Sequence, residues 1–304
     1  MVDTDGEDVN PQGTLFGFQP EKAEKILLQP LRHRIWTENK ARLVTRYLNY
    51  FLFITRHGTY IDGFAGPQYA GQKDSWAAKA VLELTPRWLR NFFLCDIDPN
   101  AIAALQKLSA EQPPPDKAKG EPKRDIRILP GDFNVSVSEI LASGKITERE
   151  ATFALLDQRT FECTWETVTR LARHKRVGNK IELFYFLAIK WLHRAIAGTG
   201  DTTGIEAWWG DDTWSRLRDA NQQSICDAVR EKFIRELGYK HVHPWPIFES
   251  EDGGAVMYYM IQATDHPEAP ILMRRAYENA LRAPEPIEQL QLDVSTGDYL
   301  GARS

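Results

Sequence analysis

The sequence predicts an α/β fold built on a Rossmann-like open sheet, five parallel strands closed by a C-terminal antiparallel hairpin, with helical additions. Three observations predict it. Four successive apolar runs end in or turn on an acid, at Asp62, Asp96, Asp132 and Asp157. The first acid is followed at once by glycines, in Tyr60-Ile61-Asp62-Gly63-Phe64-Ala65-Gly66-Pro67. After the fifth apolar run the strand–helix rhythm stops, and two apolar runs follow with Gly253-Gly254 between them.

The first strand runs into Asp62, and Gly63 and Gly66 let the backbone turn sharply and approach a ligand that a Cβ would exclude. A helix over Ser75 to Leu84 would aim its N-terminal amides at the same crevice. An ordinary strand-to-helix turn is the plainer alternative. The second strand, Asn91 to Asp96, places a carboxylate about thirty residues after the first glycine, where one acid can accept both hydroxyls of a ribose. Asp98-Pro99 then reads as N-cap and first position of a helix through Leu108. The proline-rich, charged stretch Gln112 to Lys123 is a surface loop or a disordered insert.

The third unit is Arg127 to Asn134, again strand, glycine and acid, with a helix from about Val135 to Ala142. The fourth, Ala151 to Asp157, is a continuous apolar run suited to a strand buried on both faces. Strand five is Ile181 to Leu187. Helices over Asp211 to Ala220 and Ser224 to Leu237 precede the hairpin strands Tyr239 to Phe248 and Ala255 to Ile261. Ligands of open parallel sheets lie beyond the carboxyl ends of the strands, so the four acids should converge on one crevice. Five parallel strands plus a hairpin form the class I methyltransferase-type mixed sheet; dinucleotide dehydrogenases lack the hairpin, so the fold analogy favours S-adenosylmethionine as cofactor.

These residues resemble the three-Cys-motif partner proteins. The resemblance spans about Lys40 to Ala280 and rests on several segments. They are Tyr60 to Pro67, the Asp96 strand end, Leu129-Pro130-Gly131-Asp132, Leu156-Asp157 with Trp165-Glu166-Thr167-Val168, and Arg194 after the fifth strand. It implies a methyltransferase-like Rossmann domain and a companion that carries the three cysteines and looks like a radical S-adenosylmethionine enzyme. Two positions depart from the family pattern. Gln68 stands where a further glycine is usual, and Asp157-Gln158-Arg159-Thr160-Phe161 replaces a proline-containing acidic turn of the kind that grips a target nitrogen.

The candidate site residues follow. Asp62, Gly63, Phe64, Ala65, Gly66, Asp96, Asp132 and Phe133 would bind the cofactor, with Asp96 on the ribose and Asp132 on the adenine amino group. Asp157 and Arg159 would serve catalysis, Arg159 either on a phosphate or carboxylate or paired with Asp157 itself. Lys40, at a lysine position common in the family, Arg194, Trp208 and Trp209 are candidate substrate contacts. The tryptophans of Gly198 to Trp214 could stack on a flat substrate, or form a satellite core or a protein interface.

With 304 residues and 42% hydrophobic content the chain can bury a large core. The expected organisation is a helical extension over 1–57, the Rossmann-like domain over 58–282 with a Trp-rich insertion at about 198–238, and a polar tail over 283–304. An acidic start and the lack of a twenty-residue apolar stretch predict a cytoplasmic protein. Cys95, Cys163 and Cys226 are far apart and lack ligand spacing, which points to neither a disulfide framework nor a metal site. A net charge of −4 argues against a globally basic nucleic-acid binder, although two basic clusters stand out. One, from Arg32 to Arg56, lies on an amphipathic helix expected to leave Lys40 and Arg42 free; the other, Arg170 to Arg176, suits a helix C-terminus.

Three functions compete at this point. The first is methyl transfer to a nucleic-acid base, nucleotide or similar polar acceptor. The second is a non-methylating nucleotide-binding subunit for the companion, and the third a nuclease or phosphoryl-transfer enzyme with the acids as metal ligands.

Overall fold

The structure, a computed structural model, describes residues 27, 31, 34–67, 75–198, 202–250 and 253–282. The strands are β1 (Ile35–Trp36), β2 (Gly58–Asp62), β3 (Leu89–Asp96), β4 (Asp125–Pro130), β5 (Thr152–Leu156), β6 (Glu182–Leu187), β7 (His241–Ser250) and β8 (Gly253–Thr264). They form one sheet in the order β1-β7-β8-β6-β5-β2-β3-β4. Strands β2 to β6 pair in parallel, and β8 runs antiparallel to both β6 and β7. This is the class I methyltransferase-type sheet, with one addition: the two-residue β1 joins the far edge, parallel to β7. The chain winds from β2 out to β4 and returns to β5 on the other side of β2, so the winding reverses between β2 and β5, the switch point beside whose strand ends open α/β sheets receive ligands.

Central strands are buried on both faces, and their side chains alternate between two cores. Tyr60, Phe92, Phe153 and Phe184 point to one face, packed by helices α1 (Lys40–Thr55), α2 (Ala77–Leu82), α3 (Pro99–Ala110) and α9 (Ala269–Asn279). Ile61, Phe93, Ala154 and Leu183 point to the other. Its cover is α4 (Phe133–Ala142), α5 (Trp165–Arg173), α6 (Ile189–Gly198), α7 (Thr203–Trp209) and α8 (Gln222–Arg235). Among the described residues no helix is long and apolar enough to cross a membrane.

The expected elements recur with adjusted bounds. Asp98 caps α3 by accepting from the Asn100 amide, with Pro99 in the first turn. The proposed Asp211–Ala220 helix is instead a 3₁₀ turn over Asp212–Leu217 capped by Asp211; Trp214 and Leu217, three apart, share its buried side, which suits three residues per turn. Helix α2 is six residues long, shorter than expected, and its N-cap position, Trp76, makes no side-chain cap. The expected dipole contribution from that helix is correspondingly withdrawn. The insert near Gln112 is an ordered surface loop: Arg87 donates to the Pro113 and Pro114 carbonyls and pairs with Glu121 at 3.2 Å. Gln68, the residues before 27, the hairpin tip 251–252, residues 199–201 and the tail from 283 lie outside the described residues.

One buried polar cluster ties α1 to the sheet. At the start of β6, Glu182 accepts from the Tyr47 hydroxyl, the Gln262 amide at 3.1 Å and the Thr264 hydroxyl at 3.3 Å. Burial pushes its carboxyl up from the ordinary 4.5 to about 7.

Candidate functional site

The site grows from the turn after β2. Asp62 is the last residue of a fully buried strand and is 1% exposed. Its Oδ1 accepts from the Phe64 amide at 3.1 Å and its Oδ2 from the Tyr60 hydroxyl at 2.8 Å. Burial drives its pKa from 3.8 to about 7; the two hydrogen bonds oppose the shift, and the charges of Asp157 and Asp96 add to it. Asp62, Asp96 and Asp157 are thus near enough to act on one another, and Asp132 is not among the charges acting on Asp62.

From Asp62 the loop is stitched to its neighbours through the backbone. Gly63 N–H donates to the Leu155 carbonyl and Ala65 N–H to the Cys95 carbonyl, bridging the ends of β5 and β3. The Trp76 indole donates back to the Ala65 carbonyl at 2.6 Å. At Gly66 a Cβ would lie 2.4 Å from Asp96 Oδ2 and 2.5 Å from the Ala101 Cβ; at Gly63 it would press on the Phe133 ring at 2.9 Å. Only glycine fits either position, and the second contact explains why Phe133 belongs to the site.

Asp96 holds this loop: Oδ2 accepts from Gly66 N–H at 2.7 Å and Oδ1 from Asp98 N–H at 2.9 Å. Each carboxylate oxygen keeps a second lone pair for an outside donor. Asp132 is exposed at the rim and caps α4, its Oδ1 accepting from the Asn134 amide and side chain. Asn134, which the sequence reading passed over, then staples the β4 and β5 ends together. It donates to the Glu162 carbonyl and accepts from Thr164 and Thr167.

The acceptor side departs most from expectation. Asp157 does not pair with Arg159. Lys40, at the start of α1, reaches it with Nζ 2.8 Å from both oxygens, at 6% and 13% side-chain exposure. The Lys40 ammonium also sits 4.8 Å from the Phe186 ring and 4.5 Å from the Tyr258 ring. The expectation that Lys40 would be left free is corrected: Lys40, Ala41 and Leu43 in the first turn of α1 are buried, and the buried lysine finds the strand-end carboxylate. Arg42 is exposed, as expected. Arg159 is exposed too, its backbone amide donating to Glu162, so it borders the site without entering the pair. Between the Gly66 loop and the Lys40–Asp157 pair lies a narrow recess bordered by Asp62, Phe64, Trp76 and Phe186.

Trp208 and Trp209 are core side chains, 2% and 1% exposed, so substrate stacking gives way to the satellite-core alternative. The Trp208 indole donates to the Tyr185 hydroxyl and that of Trp209 to Thr213. Arg194 lies exposed on α6, 4.3 Å over the Trp191 ring. The Arg170–Arg176 cluster is structural: Arg173 donates to the Glu236 carbonyl, His174 pairs with the Ile146 carbonyl, and Lys175 is buried on Glu150.

No protein-family profile matches the sequence, and no curated protein matches it. Among solved structures, a presumed methyltransferase from Thermobifida fusca overlaps 75% of this chain and 81% of its own, at 15% identity and a TM-score of 0.40. A presumed class I S-adenosylmethionine-dependent methyltransferase from Listeria monocytogenes overlaps 93% and 80%, at 11% identity and a TM-score of 0.37. At such scores the fold assignment rests on the strand order rather than on these neighbours.

Proposed function

We propose that the chain binds S-adenosylmethionine in the crevice beyond β2 and β3 and transfers its methyl group to a nucleic-acid base, nucleotide or similar polar acceptor at the Asp157 side. The observation that carries this reading is the placement of the Gly63–Gly66 turn: its two glycines pack closely on Phe133 and Asp96, in the sheet position where a nucleoside is received. Gly63 and Gly66 would admit the methionine portion, Asp96 the ribose hydroxyls, and Asp132 with Phe133 the adenine. Asp62 offers a buried carboxyl near the cationic part of such a ligand. The group would supply an activated methyl on a sulfonium leaving group, so the chain's share of catalysis is alignment and exclusion of water.

The resemblance of Tyr60 to Pro67 to the three-Cys-motif partner proteins supports a companion of the radical S-adenosylmethionine type. Co-purification with a protein that carries the three-cysteine motif would test this.

Calorimetric titration with S-adenosylmethionine and S-adenosylhomocysteine tests the pocket. Micromolar binding that disappears in Asp96→Ala is the expected result; unchanged affinity in that variant removes the reading. A second reading, a nucleotide-binding subunit that no longer methylates, draws on the altered turn after β5 and on the engagement of Asp157 by Lys40. Methyl transfer by the isolated chain would dispose of it. Metal-dependent phosphoryl transfer is less well supported, because the acids already serve separate partners. Asp62 receives Tyr60 and Phe64, Asp96 receives two amides and Asp157 receives Lys40. Among the described residues no group of three or more His, Cys, Asp and Glu is placed to share an ion.

A further inference from the structure

Two lysine–carboxylate pairs stand on the acceptor side of the sheet. The first is Lys40 with Asp157, at the end of β5. The second joins Lys190, in the first turn of α6 just after β6, to Glu249 near the end of β7, at 3.1 Å. Strands β5, β6 and β7 run in the same direction, so both pairs lie at the same edge of the sheet as the Asp62 and Asp96 turns. Strand β8 lies between β6 and β7 and carries Tyr258, one of the two rings under the Lys40 ammonium; Tyr258 stands opposite Ile247, and Tyr259 opposite Leu187.

An exocyclic amine presents two N–H donors and needs acceptors for them. Here the Lys40 ammonium lies against both oxygens of Asp157, so an amine would meet a donor beside its acceptor, and the proline turn that would add backbone acceptors is replaced by Gln158-Arg159-Thr160. A hydroxyl needs something different: one acceptor for its proton and one donor to orient the oxygen's lone pair. A bidentate ammonium–carboxylate pair supplies both, since a lysine has three N–H donors and Asp157 takes two. The surroundings suit a phosphate-bearing acceptor. On α6, Ile189, Leu192 and Ile196 are buried, which turns Lys190, Trp191 and Arg194 outward. Trp191 is 51% exposed and lies beside the Arg194 guanidinium, a stacking face next to cations.

We infer that the methyl acceptor is a ribose hydroxyl of RNA, with Lys40 and Asp157 acting on the hydroxyl and Lys190, Trp191 and Arg194 engaging the flanking sugar-phosphate and base. This rests on the methyl-transfer reading and names its acceptor atom. In the transfer the acceptor oxygen bonds to the methyl carbon as the carbon–sulfur bond breaks, its electron pair staying on sulfur. The hydroxyl proton, made strongly acidic as the new bond forms, passes to Asp157 and on to solvent. Lys40 fixes the carboxylate and the oxygen throughout.

The test uses the full chain, methyl-labelled S-adenosylmethionine and a mixed-sequence RNA oligonucleotide, with the matching DNA oligonucleotide as control. Nucleosides are resolved by mass spectrometry after digestion. Label on ribose in RNA and none on DNA is expected, falling by about a hundredfold or more in Lys40→Ala and in Asp157→Asn with S-adenosylhomocysteine affinity unchanged. Because Lys40→Ala takes the cation from beside the part-buried Asp157 carboxylate, the double variant Lys40→Met with Asp157→Asn serves as the folded control and should be equally inactive. Independently of turnover, RNA binding followed by fluorescence anisotropy should weaken about tenfold in Lys190→Ala with Arg194→Ala, with a shallower salt dependence. Label on a base nitrogen or in protein, equal label on DNA, no ribose methylation despite bound cofactor, or undiminished transfer without Lys40 each overturns the inference. Failure to bind either cofactor form overturns instead the methyl-transfer reading beneath it.

Discussion

At Gly66 the backbone passes so close to Asp96 and Ala101 that a single methyl group has no room. Gly66→Ala should cost about 1–3 kcal/mol of stability, read as a lowered denaturation midpoint, and should weaken cofactor binding together with it. Asp96→Ala removes the acceptor of two backbone amides, so its loss of cofactor affinity should be accompanied by a fall in thermal stability; Asp96→Asn should restore part of the stability and little of the affinity. Lys40→Ala takes the cation from beside the part-buried Asp157 carboxylate and should cost about 1–3 kcal/mol, whereas neutralising both partners should cost less, which chemical denaturation of the single and double variants would separate. The acids and glycines of these turns were legible because their residue types and strand-end positions stand next to each other in the chain. Lys40 as the partner of Asp157 was not, since the two are 117 positions apart and join only when α1 lies across the sheet. Trp191, Asn134 and Tyr258 carried no local signal at all.

Among the elements, β6 and α1 share the polar cluster at Glu182, and this sets a pH dependence. The folded carboxyl titrates near 7 and the unfolded one near 4.5, so the folded chain holds a proton that the unfolded chain has already released. The stabilisation is complete below pH 4.5 and fades as pH rises through 7, a change of at most about 3 kcal/mol. Asp62 has the same sign over the same window. Melting temperature should therefore decline between about pH 5 and pH 7, and level off above that, more in the native chain than in Glu182→Gln, whose amide cannot ionise. The strands themselves were well predicted, because apolar runs ending in acids leave little choice of register. The helices α6, α7 and α9 and the edge strand β1 were not expected. Sequence periodicity near Gly198 is broken by glycines, and a two-residue strand has no period to detect; both form through tertiary contacts, as with Tyr277, whose hydroxyl accepts from the Ile35 amide.

For the whole molecule, α1 is as much a part of the core as the strands it covers. Leu43, Val44, Tyr47, Leu48 and Phe51 are buried on the face that holds Tyr60, Phe153 and Phe184. Removing residues 1–57 would expose that face and forfeit on the order of 10 kcal/mol of burial, comparable to the entire stability of a domain. The chain over 58–282 should then show no cooperative thermal transition by calorimetry; a sharp transition would mean that the Rossmann-like unit folds without its helix. Local chemistry was enough for the sequence to determine the α/β class, the turn after β2 and the acids at the strand ends, because each depends on neighbours within a few residues. Which cation meets Asp157, which tryptophans are core, and how β7 and β8 carry Glu249 and Tyr258 to the acceptor side were decided only by the tertiary structure. Those arrangements depend on burial and charge pairing between segments that the chain brings together from a distance.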